Sequence, residues 1–375
     1  MIGGDEKLVA EMFRSFEVNI ENHSNLIKTG FYSSINVFVK PKLREAFIEL
    51  NKQKKWCLRK YSYATFHEAR QLVNRSYALA AANSVKLITF DGDDTLYHAG
   101  HNFTEEKIAE RIAALINRDI FVAIVSAVNY GSNEAFYETR ISNLINVINE
   151  KTSFNTFLRS NFMFIAGQAA EFFRLDESGK LKHVQSIDIS MAYCEKSYNG
   201  NADDWKDLLN TAAEELQLAI EEFGLKAKII KKKRSVGIVP DDKNTLKTTR
   251  LTCEILNELS ERISLLSKCV RFEQIPCCVF NSNFDVWIDI GNKAIGISFL
   301  QNLLKLSPSQ TMHIGDQFNR NGNDAYATLV ATCIWVINPT ETRNILKTLC
   351  NQIKDRTVQT FYSSNLINGE SETII

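Results

Sequence analysis

The amino-acid sequence predicts an α/β protein built on a parallel sheet wound with helices, with a second αβ layer inserted into it and a helical region in front. Three observations carry that reading. From Val85 onward short apolar strands alternate with amphipathic helices, the pattern of a parallel sheet. Between residues 181 and 290 this alternation gives way to a mixed αβ stretch, after which it resumes. Acidic residues stand where strands on both flanks run out, and sheets of this kind take their ligands at the carboxyl ends of the strands.

Residues 1–80 read as helices, because "PKLREAFIELNKQKKW" and "TFHEARQLVNRSYALAAA" carry apolar residues at three- and four-residue intervals. The core follows over 81–180 as "VKLITF", "TEEKIAERIAALINR", "IFVAIVSA", "AFYETRISNLINVINE" and "FMFIAG", and returns over 291–360 with "AIGISFLQNLLKL", "TMHIGD", "NDAYATLV" and "ATCIWVIN". The insertion, 181–290, opens with "LKHVQSIDI" and contains the helices "DDWKDLLNTAAEELQLAIEEFG" and "KNTLKTTRLTCEILNELSERISLLS". Its strands are expected at "AKIIKKKRSVGIVP", "VRFEQI" and "FDVWIDI". The polar tail, 361–375, is expected to be mobile.

Composition excludes several classes. A chain of 375 residues suffices for two or three domains. Lysine plus arginine (44) equals aspartate plus glutamate (44), so no net field draws it to nucleic acid or to an acidic membrane. The basic run Lys231-Lys232-Lys233-Arg234 lies between strand-like stretches without interleaved aromatics, and reads as a solvated strand edge or turn. The eight cysteines are scattered without a CxxC pair and no secretory leader is expected, which predicts reduced thiols and a cytoplasmic protein. The longest apolar stretch, "IFVAIVSAV", is too short to cross a bilayer.

Chemistry concentrates in "LITFDGDDTLYHAG", where Asp91, Asp93 and Asp94 follow an apolar strand. Carboxylates this close repel one another unless something cationic offsets them. A calcium loop fails, since its fifth, sixth and twelfth positions would be Thr95, Leu96 and Asn102. A magnesium-dependent phosphotransfer site fits better, with one aspartate attacking phosphorus and another, two residues on, handling the leaving-group proton. Gly92 is expected to turn the chain sharply between them. The plainer alternative is an acidic turn capping a helix near Thr104.

"MHIGDQFNRNGNDA" repeats the theme with Asp316 and, eight residues on, Asp324. Asp91, Asp93 and Asp316 together suit magnesium, a small hard cation that keeps several waters, with Asp324 as a further ligand or a support. Phosphoryl oxygens also need donors and a fixed cation. Ser126, ending "VAIVS", offers a hydroxyl, and Lys293, after "VWIDIGN", an ammonium. Taken singly, Ser126 reads equally as a helix cap and Lys293 as a solvated lysine.

Their order along the chain resembles the four motifs of the haloacid-dehalogenase-type phosphatases, whose larger cap is inserted between the second and third. The blocks "TFDGDDTLY", "VAIVSAVNYGSNEAFYETRISNL", "FMFIAGQAAEFFRL", "KKKRSVGIVP", "DIGNKAIGI" and "HIGDQFNRNGNDA" resemble, more narrowly, the IMP-specific 5'-nucleotidases over roughly residues 85–345. The resemblance implies a Rossmann-like core with a C2-type αβ cap and hydrolysis of inosine 5'-monophosphate (IMP) with Mg2+. It also implies a homo-oligomer, a tetramer, whose activity responds to ATP. Carried over by position, Asp91 is the nucleophile, Asp93 the general acid/base, Thr95 and Ser126 phosphate contacts, Lys293 the charge clamp and Asp316 the metal anchor. Arg140 is placed to reach a phosphate or base, or is an ordinary surface arginine. Tyr130 and Phe172 are candidates to stack on a purine, with a core role the plainer reading. Two positions depart from the family pattern, Ala99 and Gln168, where the family carries acidic residues. A sugar-phosphate phosphatase or phosphomutase on the same core, and a non-catalytic regulatory homologue, are the competing readings.

Overall fold

The computed structural model describes residues 6–27, 38–184, 203–241, 251–282 and 284–353. The tail at 361–375, the end of the expected stretch "LKHVQSIDI" at 185–189 and the segment 243–250 of the second expected insertion helix lie outside these.

The chain opens with helices α1 (Glu6–Ile27), α2 (Leu43–Lys54) and α3 (Phe66–Ala81). Thr65 and Glu68 form a reciprocal capping box at the start of α3, each side chain taking the other's backbone N–H. Ala46, Phe47, Leu50, Trp56, Leu72 and Leu79 close a small apolar core among these helices.

Strand β1 (Leu87–Phe90) begins the main sheet and is followed by α4 (Glu106–Ile116), β2 (Phe121–Val125), α5 (Glu134–Arg140), α6 (Ser142–Lys151), β3 (Phe162–Ala166), β4 (Glu171–Leu175) and β5 (Leu181–His183). The insertion contributes α7 (Asp204–Phe223), β6 (Ala227–Lys231), β7 (Ser235–Pro240), α8 (Cys253–Ser267), β8 (Cys277–Asn281) and β9 (Val286–Ile290). The chain returns through α9 (Lys293–Leu304), β10 (Thr311–Gly315), β11 (Thr332–Trp335) and α10 (Pro339–Gln352). Seven strands form the main sheet in the order β11-β10-β1-β2-β3-β4-β5, and four form a second sheet, β6-β7-β9-β8. The first five strands of the main sheet are parallel, and β4 and β5 turn back antiparallel. β1 therefore sits at the switch point, with β2 on one side and β10 on the other, where an open α/β sheet forms its crevice.

Four local expectations are corrected. Leu181–His183, read as the start of the insertion, pairs with β4 and closes the edge of the main sheet. The expected strand "VRFEQI" is a series of turns: Phe272 and Ile275 are buried in the second apolar core while Val270 is exposed, and the strand forms one step later at Cys277. "AKIIKKKRSVGIVP" is a hairpin, β6 pairing antiparallel with β7. The helix expected over 135–150 breaks at Ile141, because the Arg140 carbonyl accepts the Phe103 amide instead of continuing the helical ladder.

The N-terminal helices are fastened to the main sheet by charge as well as by packing. Arg70 of α3 donates both guanidinium arms to Glu341 of α10, at 2.8 and 2.9 Å, and Gln71 adds a third bond at 3.0 Å. Both ionic partners are buried, and breaking such a pair strands a charge away from water. Glu341→Gln is expected to lower stability by about 3 kcal/mol, read as an earlier urea midpoint. An unchanged midpoint would remove this pair from the forces that hold the region.

Candidate active site

Three neighbouring strands deliver polar groups to one edge of the sheet. Asp91 follows β1, Ser126 follows β2 and Asp316 follows β10. The chain leaves β1 still tied to the sheet, since the Asp91 amide donates to the Ile314 carbonyl at 2.9 Å. The Leu96 and Tyr97 amides fold back onto the Gly92 carbonyl. The structure gives Gly92 a different purpose from the expected turn. The left-handed residue is Asp94, at φ 50°, whereas a Cβ on Gly92 would lie 2.3 Å from the Tyr97 hydroxyl. Gly315 has the same purpose beneath Asp324, whose carboxyl carbon would be 2.4 Å from an added Cβ.

Lys293 is the first residue of α9, whose N-cap Asn292 accepts the Ile295 amide at 3.2 Å. Its side chain is wholly buried, so the solvated alternative fails. The ammonium lies 2.8 Å from Asp91 Oδ1 and 2.5 Å from Asp324 Oδ1. Burial works against that charge, but Asp324 and Asp91 outweigh it and hold the pKa above its ordinary value. Asp324 also accepts from His313 Nε2 at 2.8 Å and from the Gln317 amide at 2.9 Å. Burial raises its pKa, yet Lys293 and His313 overcome this and hold it well below the usual carboxylate range. Burial lowers the His313 pKa, with Asp324 opposing.

Asp91 and Asp316 are less fully compensated. Burial pushes the Asp91 carboxyl up to about 6, with Lys293 pulling it back. Burial and then Asp91 push Asp316 up to about 9. Asp316 Oδ1 is buried without a hydrogen-bond partner among the described residues. Carboxylate oxygens of Asp91, Asp316 and Asp324 all lie within 4.8 Å of one another. A hard divalent cation fits this donor set, because it would relieve the repulsion and satisfy the orphaned oxygen.

Asp93 is not one of the three. Its Oδ1 accepts from Arg140 Nη2 at 2.6 Å and from the Gly100 amide at 3.1 Å, so the carboxylate expected on the metal is turned toward an arginine. Arg140 in turn neither lines the cleft nor stands as a solvated surface residue. Its Nε donates to the Tyr97 hydroxyl at 3.3 Å, and the guanidinium lies 4.9 Å over that ring. Thr95 is buried, and its hydroxyl has no hydrogen-bond partner among the described residues. Ser126 is buried too, its Oγ accepting the Val128 amide at 3.2 Å, while Asn133 caps the next helix.

Asp91, Asp93 and Ser126 open onto a cavity of about 240 Å³ whose far wall comes from the second sheet: Lys232, Arg234, Phe280, Trp287 and Asp289. Lys232 Nζ sits 4.2 Å over the Trp287 ring. Burial pushes the Asp289 carboxyl up to about 7, against the pull of Lys232 and a Ser235 hydrogen bond, and burial lowers the Arg234 guanidinium to about 10. Sequence reasoning missed these residues. The hairpin turn puts half of the basic run onto the cavity, and strand alternation in "VWIDI" carries the only hint that Trp287 and Asp289 share a face. His313 was missed as well, concealed inside an apolar strand. Phe172 packs in the core against Phe299, and Tyr130 lies against Phe136 and Tyr137; neither lines the cavity.

Comparison with known proteins agrees with this geometry. A family model described as IMP-specific 5'-nucleotidase matches residues 4–346. The IMP-specific 5'-nucleotidase 1 of Plasmodium falciparum is 33% identical over 320 residues, covering 83% of this chain and 70% of its own. That of Schizosaccharomyces pombe is 31% identical, covering 90% and 84%. The IMP-bound, N-terminally truncated P. falciparum IMP-nucleotidase superposes with a TM-score of 0.78 at 30% identity, covering 92% and 95% of the two chains. The ATP-bound form of that enzyme gives 0.72 at 30% identity, covering 95% and 85%. With a family match across most of its length and an aspartate-lysine-aspartate centre at the sheet's switch point, this chain belongs to the IMP-specific 5'-nucleotidase family.

Proposed function

We propose that this chain hydrolyses IMP to inosine and inorganic phosphate by way of a phosphorylated Asp91. The observation that carries the reading is the Asp91 carboxylate held 2.8 Å from a buried ammonium at the mouth of the cavity. Asp91 attacks phosphorus in line with the departing 5'-oxygen. Asp93, on the same cavity wall, donates a proton to that oxygen and then accepts one from the water that hydrolyses the aspartyl phosphate. Lys293 places a fixed positive charge beside the transferring group, and its burial makes that charge worth more than it would be in water. Thr95 and Ser126 supply hydroxyls to the phosphoryl oxygens. Arg140 orients Asp93 instead of meeting substrate. Asp91 and Asp316 would hold Mg2+, with Asp324 behind them positioning Lys293. When bound, the ion neutralises charge on the non-bridging oxygens.

The nucleoside would occupy the side of the cavity lined by Phe280 and Trp287, with Lys232, Arg234 and Asp289 as polar contacts. We assign the second sheet and its helices as the cap. The ATP-bound relative supports an ATP effector for this chain, and we retain a homo-oligomer, a cytoplasmic location and a regulatory or oligomerising N-terminal region as parts of the same proposal. No helix among the described residues is long and apolar enough to cross a membrane.

Asp91→Asn is expected to lower kcat at least about a thousandfold while the circular dichroism spectrum stays close to that of the wild type. Near-normal phosphate release from that variant would refute the nucleophile assignment. Across a panel of monophosphates, IMP is expected to be turned over in preference to AMP, GMP and hexose phosphates; a hexose phosphate in first place would favour the sugar-phosphate reading. Mg2+ is expected to raise the melting temperature of wild type and to do so weakly or not at all in Asp316→Asn. Equal shifts in both proteins would take the ion away from Asp316.

A further inference from the structure

Among the described residues nothing hydrogen-bonds the buried Oδ1 of Asp316, so the placement of its main chain contributes to where that oxygen points. The end of β11 supplies the hold. Trp335 stands opposite Gly315 in the parallel register, the Val336 amide donates to the Gly315 carbonyl at 2.9 Å, and the Trp335 indole Nε1 donates to the Asp316 carbonyl at 2.7 Å. Two successive carbonyls at the mouth of β10 are thus fixed by one strand end.

That strand end is itself held from outside the sheet. β11 is an edge strand, and an edge leaves backbone donors and acceptors in want of partners. Asn74 of α3 takes the place of a neighbouring strand. Its Oδ1 accepts the Trp335 amide at 3.1 Å, and its Nδ2 donates to the Trp335 carbonyl at 2.5 Å. Arg70 donates to the same carbonyl, and Phe66 meets the indole edge-on at 6.2 Å between ring centroids. Asn74 and Arg70 are buried.

We propose that Trp335 is a positioning residue for Asp316, and that Asn74 and Arg70 hold it there, so that the N-terminal helical region sets how firmly the chain grips a divalent cation. This rests on the reading of Asp316 as a metal ligand given above. Groups that orient a ligand from behind typically change metal affinity about 10- to 100-fold when removed; a bond to the ligand's main chain belongs at the low end of that range.

The test is Trp335→Phe, which keeps an aromatic ring and deletes the N–H. Calorimetric titration with Mg2+ and the Mg2+-induced rise in melting temperature are measured beside steady-state kinetics. The expected result is about a tenfold weaker Mg2+ affinity, with KM for IMP at saturating Mg2+ within about twofold of wild type. Asn74→Leu is expected to shift Mg2+ affinity in the same direction, and the double variant to fall short of the product of the two single effects. Arg75→Gln, on the same helix but paired with Glu49 at 3.2 Å, is expected to leave Mg2+ affinity unchanged. A normal wild-type response with an unshifted Trp335→Phe would overturn this inference alone, as would fully multiplicative effects of Trp335→Phe and Asn74→Leu. A wild-type protein indifferent to Mg2+ would overturn the metal reading and this inference together.

Discussion

The site depends on one wholly buried ammonium. Removing a lysine from water favours its neutral form, and only carboxylates at contact distance reverse that preference. Lys293 has two, Asp91 in front and Asp324 behind. The pair perform different tasks. Asp324 is held by Lys293, His313 and the Gln317 amide, which makes it a fixed counter-charge. Asp91, by contrast, opens onto the cavity. A single cation thus stands between a carboxylate enclosed in the protein and one that faces the cavity.

The elements around this contact exist to bring its members together. Asp91 and Asp316 lie far apart in the chain, and the parallel pairing of β1 with β10 makes their strand ends adjacent; Asp324 returns from the loop after β10, and Lys293 enters from the first position of α9. Two glycines permit the final approach, one under Tyr97 and one under Asp324. The repulsion left between Asp91 and Asp316 is the electrostatic deficit that a divalent ion is suited to fill. Across the cavity, the second sheet supplies an aromatic face and two cations from a hairpin turn. The two walls of the cavity are therefore built from different stretches of sequence, the acidic strand ends of the main sheet and the hairpin and strands of the second.

Behind the site, α3 completes the main sheet without being a strand. Asn74 satisfies the Trp335 backbone from the side, and the Arg70–Glu341 pair secures the helix against α10. The catalytic edge and the N-terminal region are consequently parts of one hydrogen-bonded assembly.

How much of this was legible in the sequence follows from the range of the forces involved. Period-two and period-3.6 patterns are local, and they located β1, β2, β3, β10 and most helices, together with the acidic residues at the strand ends. Local chemistry also drew attention to Asp91, Asp93 and Asp316, because a carboxylate cluster after an apolar strand is costly without a cation, and to Ser126 as a hydroxyl at a strand end. Where the local signal was overruled, a distant partner did it: Phe103 took the Arg140 carbonyl and broke a helix, and burial of Phe272 and Ile275 moved a strand to Cys277. The sequence by itself determined the acidic groups at the strand ends and the sheet that presents them. Only the tertiary structure decided that Lys293 is buried between two carboxylates, that Asp93 faces Arg140 while Asp324 joins Asp91 and Asp316, and that Lys232 and Arg234 line a cavity, because each of these depends on the electrostatics of residues that become neighbours only after the sheet has closed.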